Sequence, residues 1–154
     1  MPEVPVFQAF RGWLYSFGMK ACGPRFRVSF NVVLNHLEKM EVGKNVYLAC
    51  GCVLTGAGDL FIGSDVLVGP NVIIATSRHR LGKTNFLDGY EHGRVTIEEG
   101  AWIGGNATLL PGTRVPATSV VGAGAVCNKD YGDNKIFIAG VPAKVVKSIE
   151  YPEN

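Results

Sequence analysis

Residues 95–130 read VTIEEGAWIGGNATLLPGTRVPATSVVGAGAVCNKD, and this stretch decides the fold. Stepping through it by six from Ile97 meets Ile103, Leu109, Val115, Val121 and Cys127, all apolar. Four residues after the first five of these anchors stand Ala101, Ala107, Thr113, Ser119 and Ala125, all small or β-branched. A period of six is neither the 3.6 of a helix nor the alternation of a half-buried strand. It fits short flat strands joined by tight turns, each turn needing a residue that tolerates unusual backbone angles.

The same rhythm extends toward the N-terminus. Ile62, Val68 and Ile74 form one series, with Val66 and Val72 as companions. Val42, Leu48 and Leu54 form another, with Val46, Cys52 and Gly58. Glycine often follows the anchor directly, as at Gly43, Gly63, Gly69, Gly104 and Gly122. One coil cannot bury its apolar face alone, so stacked coils must form a cooperative column. The sequence therefore predicts an all-β parallel β-helix over residues 42–142. Phase slips mark insertions. Leu54 to Ile62 is 62 − 54 = 8, two residues more than the repeat. Ile74 to Ile97 is 97 − 74 = 23, which leaves about 17 extra residues. That inserted loop, at about 80–96, is polar and carries Lys83, Asn85, Asp88 and Glu91. Long loops inside compact repeats are usually functional.

Residues 1–41 read as an N-terminal helix and irregular cap. Phe7, Phe10, Leu14 and Phe17 stand at helical spacing within residues 3–19, which predicts a helix covering the end of the column. Membrane contact through the same residues is the alternative, because Trp13 and Tyr15 suit an interface. Val28, Phe30, Val32 and Leu34 alternate, as in an irregular first coil. Residues 143–154 read as a short helix and tail, with Pro142 at the helix start.

The 154 residues suit one domain. Fifteen Lys plus Arg against 13 Asp plus Glu leave a net charge of +2, which gives no clustered basic surface for nucleic acid. Cys22, Cys50, Cys52 and Cys127 match no zinc or redox spacing and read as small apolar residues of a reducing compartment. Neither a signal peptide nor a bilayer-length apolar run is visible, so a cytoplasmic location is expected.

Three histidines are available. His79 closes a hexad just before the inserted loop, and a neutral imidazole accepts a proton at physiological pH. His92 lies in the loop and His36 precedes the repeats. Asp59, Asp65, Asp88, Glu91 or a backbone carbonyl could orient an imidazole base through its second nitrogen.

Three motifs carry a family resemblance: Trp102 followed by Ile103-Gly104-Gly105-Asn106, VVGAGAVCNKD at 120–130, and AGVPAKVVK at 139–147. In order and spacing they resemble the hexapeptide-repeat acyltransferases, nearest to the maltose/galactoside-type and polysaccharide-modifying O-acetyltransferases. The resemblance implies a left-handed β-helix, a homotrimer, and acetyl transfer from acetyl-CoA to a hydroxyl of a sugar or saccharide precursor, with no metal. It implies His79 as catalytic base. It places the coenzyme along Trp102, Gly105 and Ala123, with Gly105 as oxyanion donor. Asn128, Lys129, Lys144 and Lys147 match positions that meet the nucleotide end. By composition alone those lysines are balanced by Asp130, Asp133, Glu150 and Glu153. The chain departs from the maltose type in a shortened N-terminal region, and Cys52 falls near the acceptor-binding Asn of the galactoside type. N-acetylation of an amino sugar or nucleotide sugar is the alternative reaction. A non-catalytic scaffold and a γ-type carbonic anhydrase are further rivals, though the latter needs a closer pair of histidines than His79 and His92.

Overall fold

Each hexad yields one very short strand and one four-residue corner, and three such sides make a coil. The computed structural model describes residues 4–152; residues 1–3 and 153–154 of the expected terminal segments lie outside them. Trp102–Ile103, Thr108–Leu109 and Arg114–Val115 are successive sides of one coil. Each pairs in parallel with coils above and below, so Ile103 stands between Val68 and Val121, and Leu109 between Ile74 and Cys127. The result is a three-sided solenoid with parallel sheets of five, seven and five strands, the seven-stranded one ending in an antiparallel pair.

The anchors point inward and are fully covered: Ile62, Val68, Ile74, Ile97, Ile103, Leu109, Val115 and Val121 are all 0 % exposed. Each such side chain contributes about 1.5–3 kcal/mol by leaving water. The companions Val46, Cys52, Val66, Val72, Ala101 and Ala107 are buried at the corners, where only small or branched side chains fit.

The glycines after the anchors have a different cause from the expected turn angles. A Cβ on Gly43, Gly63 or Gly104 would lie 2.6 Å from a backbone nitrogen of the next coil. Glycine there permits coil-on-coil stacking. The left-handed backbone falls two residues later, on Asn45 (φ 56°), Asp65 (φ 58°), Asn71 (φ 56°) and Asn106 (φ 59°). Asn and Asp tolerate that region better than other residues with a Cβ.

The three faces differ outside. The first carries Glu41, Phe61, Thr96 and Arg114 in register and is charged. Arg114 joins Glu98 at 2.8 Å and Asp130 at 3.0 Å, and Lys20 joins Glu41 at 2.8 Å. The second, here the tryptophan face, aligns Tyr47, Leu67, Trp102, Val120 and Phe137. The third, the β-branched face, aligns Val33, Val53, Ile73, Thr108 and Val126.

Four expectations need correction. The column begins at Ala21, ahead of residue 42, because Ala21–Cys22, Arg27–Val28 and Val33–Leu34 pair in register with the next coil. Leu34 to Val42 is 42 − 34 = 8, the same slip as Leu54 to Ile62. Second, residues 143–151 form no helix. Ala143–Ser148 is a strand antiparallel to Ile136–Gly140, where β-branched Val145 and Val146 suit a pleated edge. Third, the segment at 80–96 is not irregular throughout. Ser77–His79 and Tyr90–His92 form an antiparallel hairpin, and Val95–Ile97 is already back in the column. Fourth, the terminal helix Pro5–Ser16 covers the column with its more polar side. Arg11 Nε donates to the Val28 carbonyl at 2.8 Å, and Tyr15 Oη to that of Val32 at 3.3 Å. Gly12 is the buried helix residue, and a Cβ there would strike the Phe26 carbonyl. The first coil's edge presents carbonyls with no coil above, so hydrogen-bond donors serve it better than phenylalanines. Among the described residues no helix is long and apolar enough to cross a membrane.

Candidate active site

The hairpin that bears His79 leaves the corner between the β-branched face and the charged face. Its base is pinned to the preceding coil. The Ala57 amide donates to Ser77 Oγ at 2.9 Å, and Ser77 Oγ lies 2.7 Å from His92 Nδ1. Across the hairpin Arg78 Nε reaches Glu91 Oε2 at 2.7 Å, an exposed pair of modest worth. Arg80 and Gly89 close the tip, with the Arg80 amide 3.0 Å from the Gly89 carbonyl.

His79 sits opposite Tyr90, with ring centroids 4.6 Å apart and planes at 43°. Its imidazole is exposed to solvent. Among the described residues no hydrogen bond joins it to Asp59, Asp65, Asp88 or Glu91. Asp65 instead accepts from Asn45 at 2.8 Å, and Glu91 is held by Arg78. The ring of Tyr90 is what flanks the imidazole within one chain, a neighbour the sequence reading did not single out. The sequence carries no signal for it, because the contact follows from the hairpin register that pairs His79 with Tyr90. His92 lines a small cleft of ≈ 230 Å³ with Lys39, Asp59 and Arg94. His36 lies at another corner in a left-handed conformation (φ 58°), 3.2 Å from Glu38.

Gly105 and Ala123 occupy equivalent positions of successive coils at the corner joining the tryptophan face to the β-branched face. Among the described residues neither donates its backbone N–H within the chain. The Gly105 carbonyl accepts from Gly124 at 3.0 Å, and Asn106 donates to Pro70 at 2.8 Å, so this corner is otherwise paired. A Cβ on Gly105 would approach Pro70 to 3.2 Å, a second reason for glycine.

Trp102 is 52 % exposed in the middle of the tryptophan face, between Leu67 and Val120. Lys147 lies on the same face opposite Phe137, and Lys144 opposite Ala139. Asn128 and Lys129 follow the last anchor, Cys127, at the corner from which the hairpin leaves lower down. Lys129 Nζ is 5.7 Å from the Tyr131 ring centroid. One chain thus puts Trp102, Lys144 and Lys147 on one face, with Lys147 three strands from Trp102, places Gly105 and Ala123 at the adjoining corner, and holds His79, Asn128 and Lys129 beyond the β-branched face.

Burial pushes the Cys52 and Cys127 thiols up, which makes both poor nucleophiles. Tyr131 is pushed up to about 12, mainly by burial. Its hydroxyl donates to the Ala143 carbonyl at 3.3 Å and ties the last strand to the column. Among the described residues no group of three His, Cys, Asp or Glu side chains is placed to hold a metal ion.

A hexad-built, three-sided solenoid with a histidine-bearing hairpin and free corner amides defines a class of protein, and comparison gives its relatives. No protein-family model matches the chain. A galactoside O-acetyltransferase of Lactococcus lactis is 36 % identical over 113 residues, which is 73 % of this chain and 54 % of that protein. The galactoside O-acetyltransferase of Escherichia coli K12 is 29 % identical over 122 residues, 77 % of this chain and 58 % of its own length. The crystal structure of a hexapeptide-repeat acetyltransferase of Vibrio cholerae, complexed with acetyl coenzyme A, superposes with a TM-score of 0.83. It is 24 % identical, with 93 % of this chain and 78 % of that one covered. The chain is similar in sequence to galactoside O-acetyltransferases and shares the left-handed parallel β-helix fold of the hexapeptide-repeat acetyltransferases. It spans about half the length of the curated relatives it matches.

Proposed function

We propose that this protein is a cytoplasmic, homotrimeric O-acetyltransferase that moves an acetyl group from acetyl-CoA to a hydroxyl of a saccharide or saccharide precursor, as in polysaccharide biosynthesis. The observation that carries the reading is His79: an exposed imidazole with no carboxylate partner among the described residues, held by a paired hairpin at the column's edge. Relatives named galactoside O-acetyltransferase and a fold neighbour complexed with acetyl coenzyme A support the substrate pair.

In the reaction His79 takes the proton from the acceptor hydroxyl as its oxygen attacks the thioester carbonyl. The carbonyl oxygen becomes an oxyanion, for which the unused N–H of Gly105 is a donor fixed before the reaction begins. Collapse breaks the carbon–sulfur bond, and the thiolate of coenzyme A recovers the proton from the imidazolium. Trp102 offers a flat apolar surface for the pantetheine arm, with Ala123 beside it. Asn128, Lys129, Lys144 and Lys147 meet the nucleotide, the ammonium groups serving as point charges for phosphate.

Within one chain these groups stand on different sides of the prism. A cyclic assembly resolves this. Two of the three faces are apolar outside and the third is charged, and a three-fold ring of heterologous contacts needs two different faces from each subunit. Seating the β-branched face of one chain on the tryptophan face of the next carries the first chain's hairpin toward the second chain's Trp102. The test is thiol release from acetyl-CoA by purified protein, against a panel of sugars, amino sugars and nucleotide sugars. Turnover with a hydroxyl acceptor is expected. Turnover with amino sugars alone, or with none, would contradict O-acetylation.

A further inference from the structure

The terminal helix is amphipathic in the reverse sense from a cap. Gln8, Arg11, Gly12 and Tyr15 turn toward the first coil, and Arg11 and Tyr15 bond its carbonyls. Val6, Phe10, Trp13, Leu14 and Phe17 fall on the opposite side at helical spacing. Trp13 is 55 % exposed and Phe17 72 %. The aromatic rings form a run along the helix: Phe10 and Trp13 stack at 5.8 Å, and Trp13 meets Phe17 edge-on at 4.8 Å. Covering the column does not explain this stripe, and neither does the acetyl-transfer site.

The charge around it points to its occupant. Residues 1–41 hold Arg11, Lys20, Arg25, Arg27 and Lys39 against Glu3, Glu38 and Glu41, a net charge of +2 in side chains. Arg25 is exposed and lines the groove beside Trp13. Lys20 and Glu41 neutralise each other at 2.8 Å, and Glu38 lies 3.2 Å from His36, which leaves Arg25 as the exposed cation beside the stripe. A helix with Trp, Phe and Leu on one side and cations flanking it lies in the plane of a membrane interface, and anionic lipid strengthens the binding. We propose that the Phe10–Trp13–Phe17 stripe, with Arg25 beside it, docks this end of the column on an anionic bilayer surface. The geometry leaves the hairpin free. It emerges after the third coil, two strand spacings or about 10 Å from the first, so a bilayer against the helix does not cover His79.

The test is co-sedimentation of the full chain with vesicles of phosphatidylcholine alone and of phosphatidylcholine mixed with phosphatidylglycerol. The protein should pellet with the anionic vesicles, less as salt rises, and weakly with the neutral ones. Trp13→Glu/Phe17→Glu should lower partitioning at least about tenfold. Arg25→Glu should weaken it on anionic vesicles alone. Far-ultraviolet circular dichroism and light scattering on the variants separate docking from folding and assembly. Two results would overturn the proposal: no pelleting of wild type at low salt, or a double variant that pellets like wild type. A third would do so as well. If the double variant fell apart into monomers, the stripe would be a contact between copies of the chain.

Discussion

Ile73 and Ile74 are adjacent, chemically identical and on opposite sides of one strand, which makes them a direct test of the column. Ile74 is 0 % exposed and stacked between Leu54 and Leu109. Ile73 is 43 % exposed and aligned with Val53 and Thr108 on the outside. Ile→Ala removes three carbons, worth about 0.8 kcal/mol each on leaving water, or roughly 2.4 kcal/mol. A residual cavity adds to this at Ile74, because coils locked above and below leave little room to relax. The total should fall within the ~2–5 kcal/mol seen for such core truncations. Ile73→Ala leaves no cavity and should cost the chain's own fold less than about 1 kcal/mol, acting instead on subunit assembly. Urea unfolding at matched protein concentration measures both, from shifts of the midpoint at constant m. A loss below about 1 kcal/mol at Ile74, or equal losses at the two sites, would refute the assignment of inward and outward positions.

Gly104→Ala should destabilise by about 1–3 kcal/mol, since its Cβ would sit 2.6 Å from the Ala123 nitrogen. Gly112→Ala meets no atom within 4 Å and should cost only the ~1–2 kcal/mol of its positive φ of 90°; thermal melts compare the two. Asp130 is held below the usual carboxylate range by the Gly132 amide and by Arg114, and Glu41 by Lys20. Depressed carboxyl values stabilise the fold above the unfolded values near ~4 and cease to do so as pH falls through the folded ones. The melting temperature should therefore drop below about pH 4, and Asp130→Asn should soften that drop. Lys144→Ala/Lys147→Ala should raise KM for acetyl-CoA a few-fold with kcat unchanged, because Lys147 lies three strand spacings, about 14 Å, from Trp102. The effect should shrink in high salt and with 3′-dephospho-acetyl-CoA; an unchanged preference for the 3′-phosphate would remove these lysines from that role.

The column was legible because its signal is periodic and redundant. Ile97 through Cys127 never leave phase, and the structure buries every one of those anchors. The first coil was harder to see. Cys22 is a weak anchor, and the eight-residue step from Leu34 to Val42 hides the phase unless it is matched to the later step at Leu54. The last strand is hard to read because Pro142 suggests a helix start, whereas Val145 pairs with Ile138 at the edge of the final coil, with Val146 at the register shift. The terminal helix was found by its period, but its orientation was not. A stripe of Phe10, Leu14 and Phe17 normally faces the core, and only the bare carbonyls of Val28 and Val32 explain why the polar side faces it here. At the candidate site the sequence marks the insertion point of the hairpin that carries His79. It could not show that Tyr90 lies against His79, since that follows from hairpin register. Nor could it show that His79 and Trp102 occupy different sides of the prism.

The most direct test of the account is the turnover of His79→Ala. Thiol release with a saturating acceptor should fall about 10²–10⁴-fold, the usual loss of a general base. Coenzyme binding by calorimetry and the oligomer by light scattering should match wild type, because the side chain is exposed and its ring contact is with Tyr90 of the same hairpin. Near-full turnover in a folded, coenzyme-binding variant would contradict the assignment of His79 as the base.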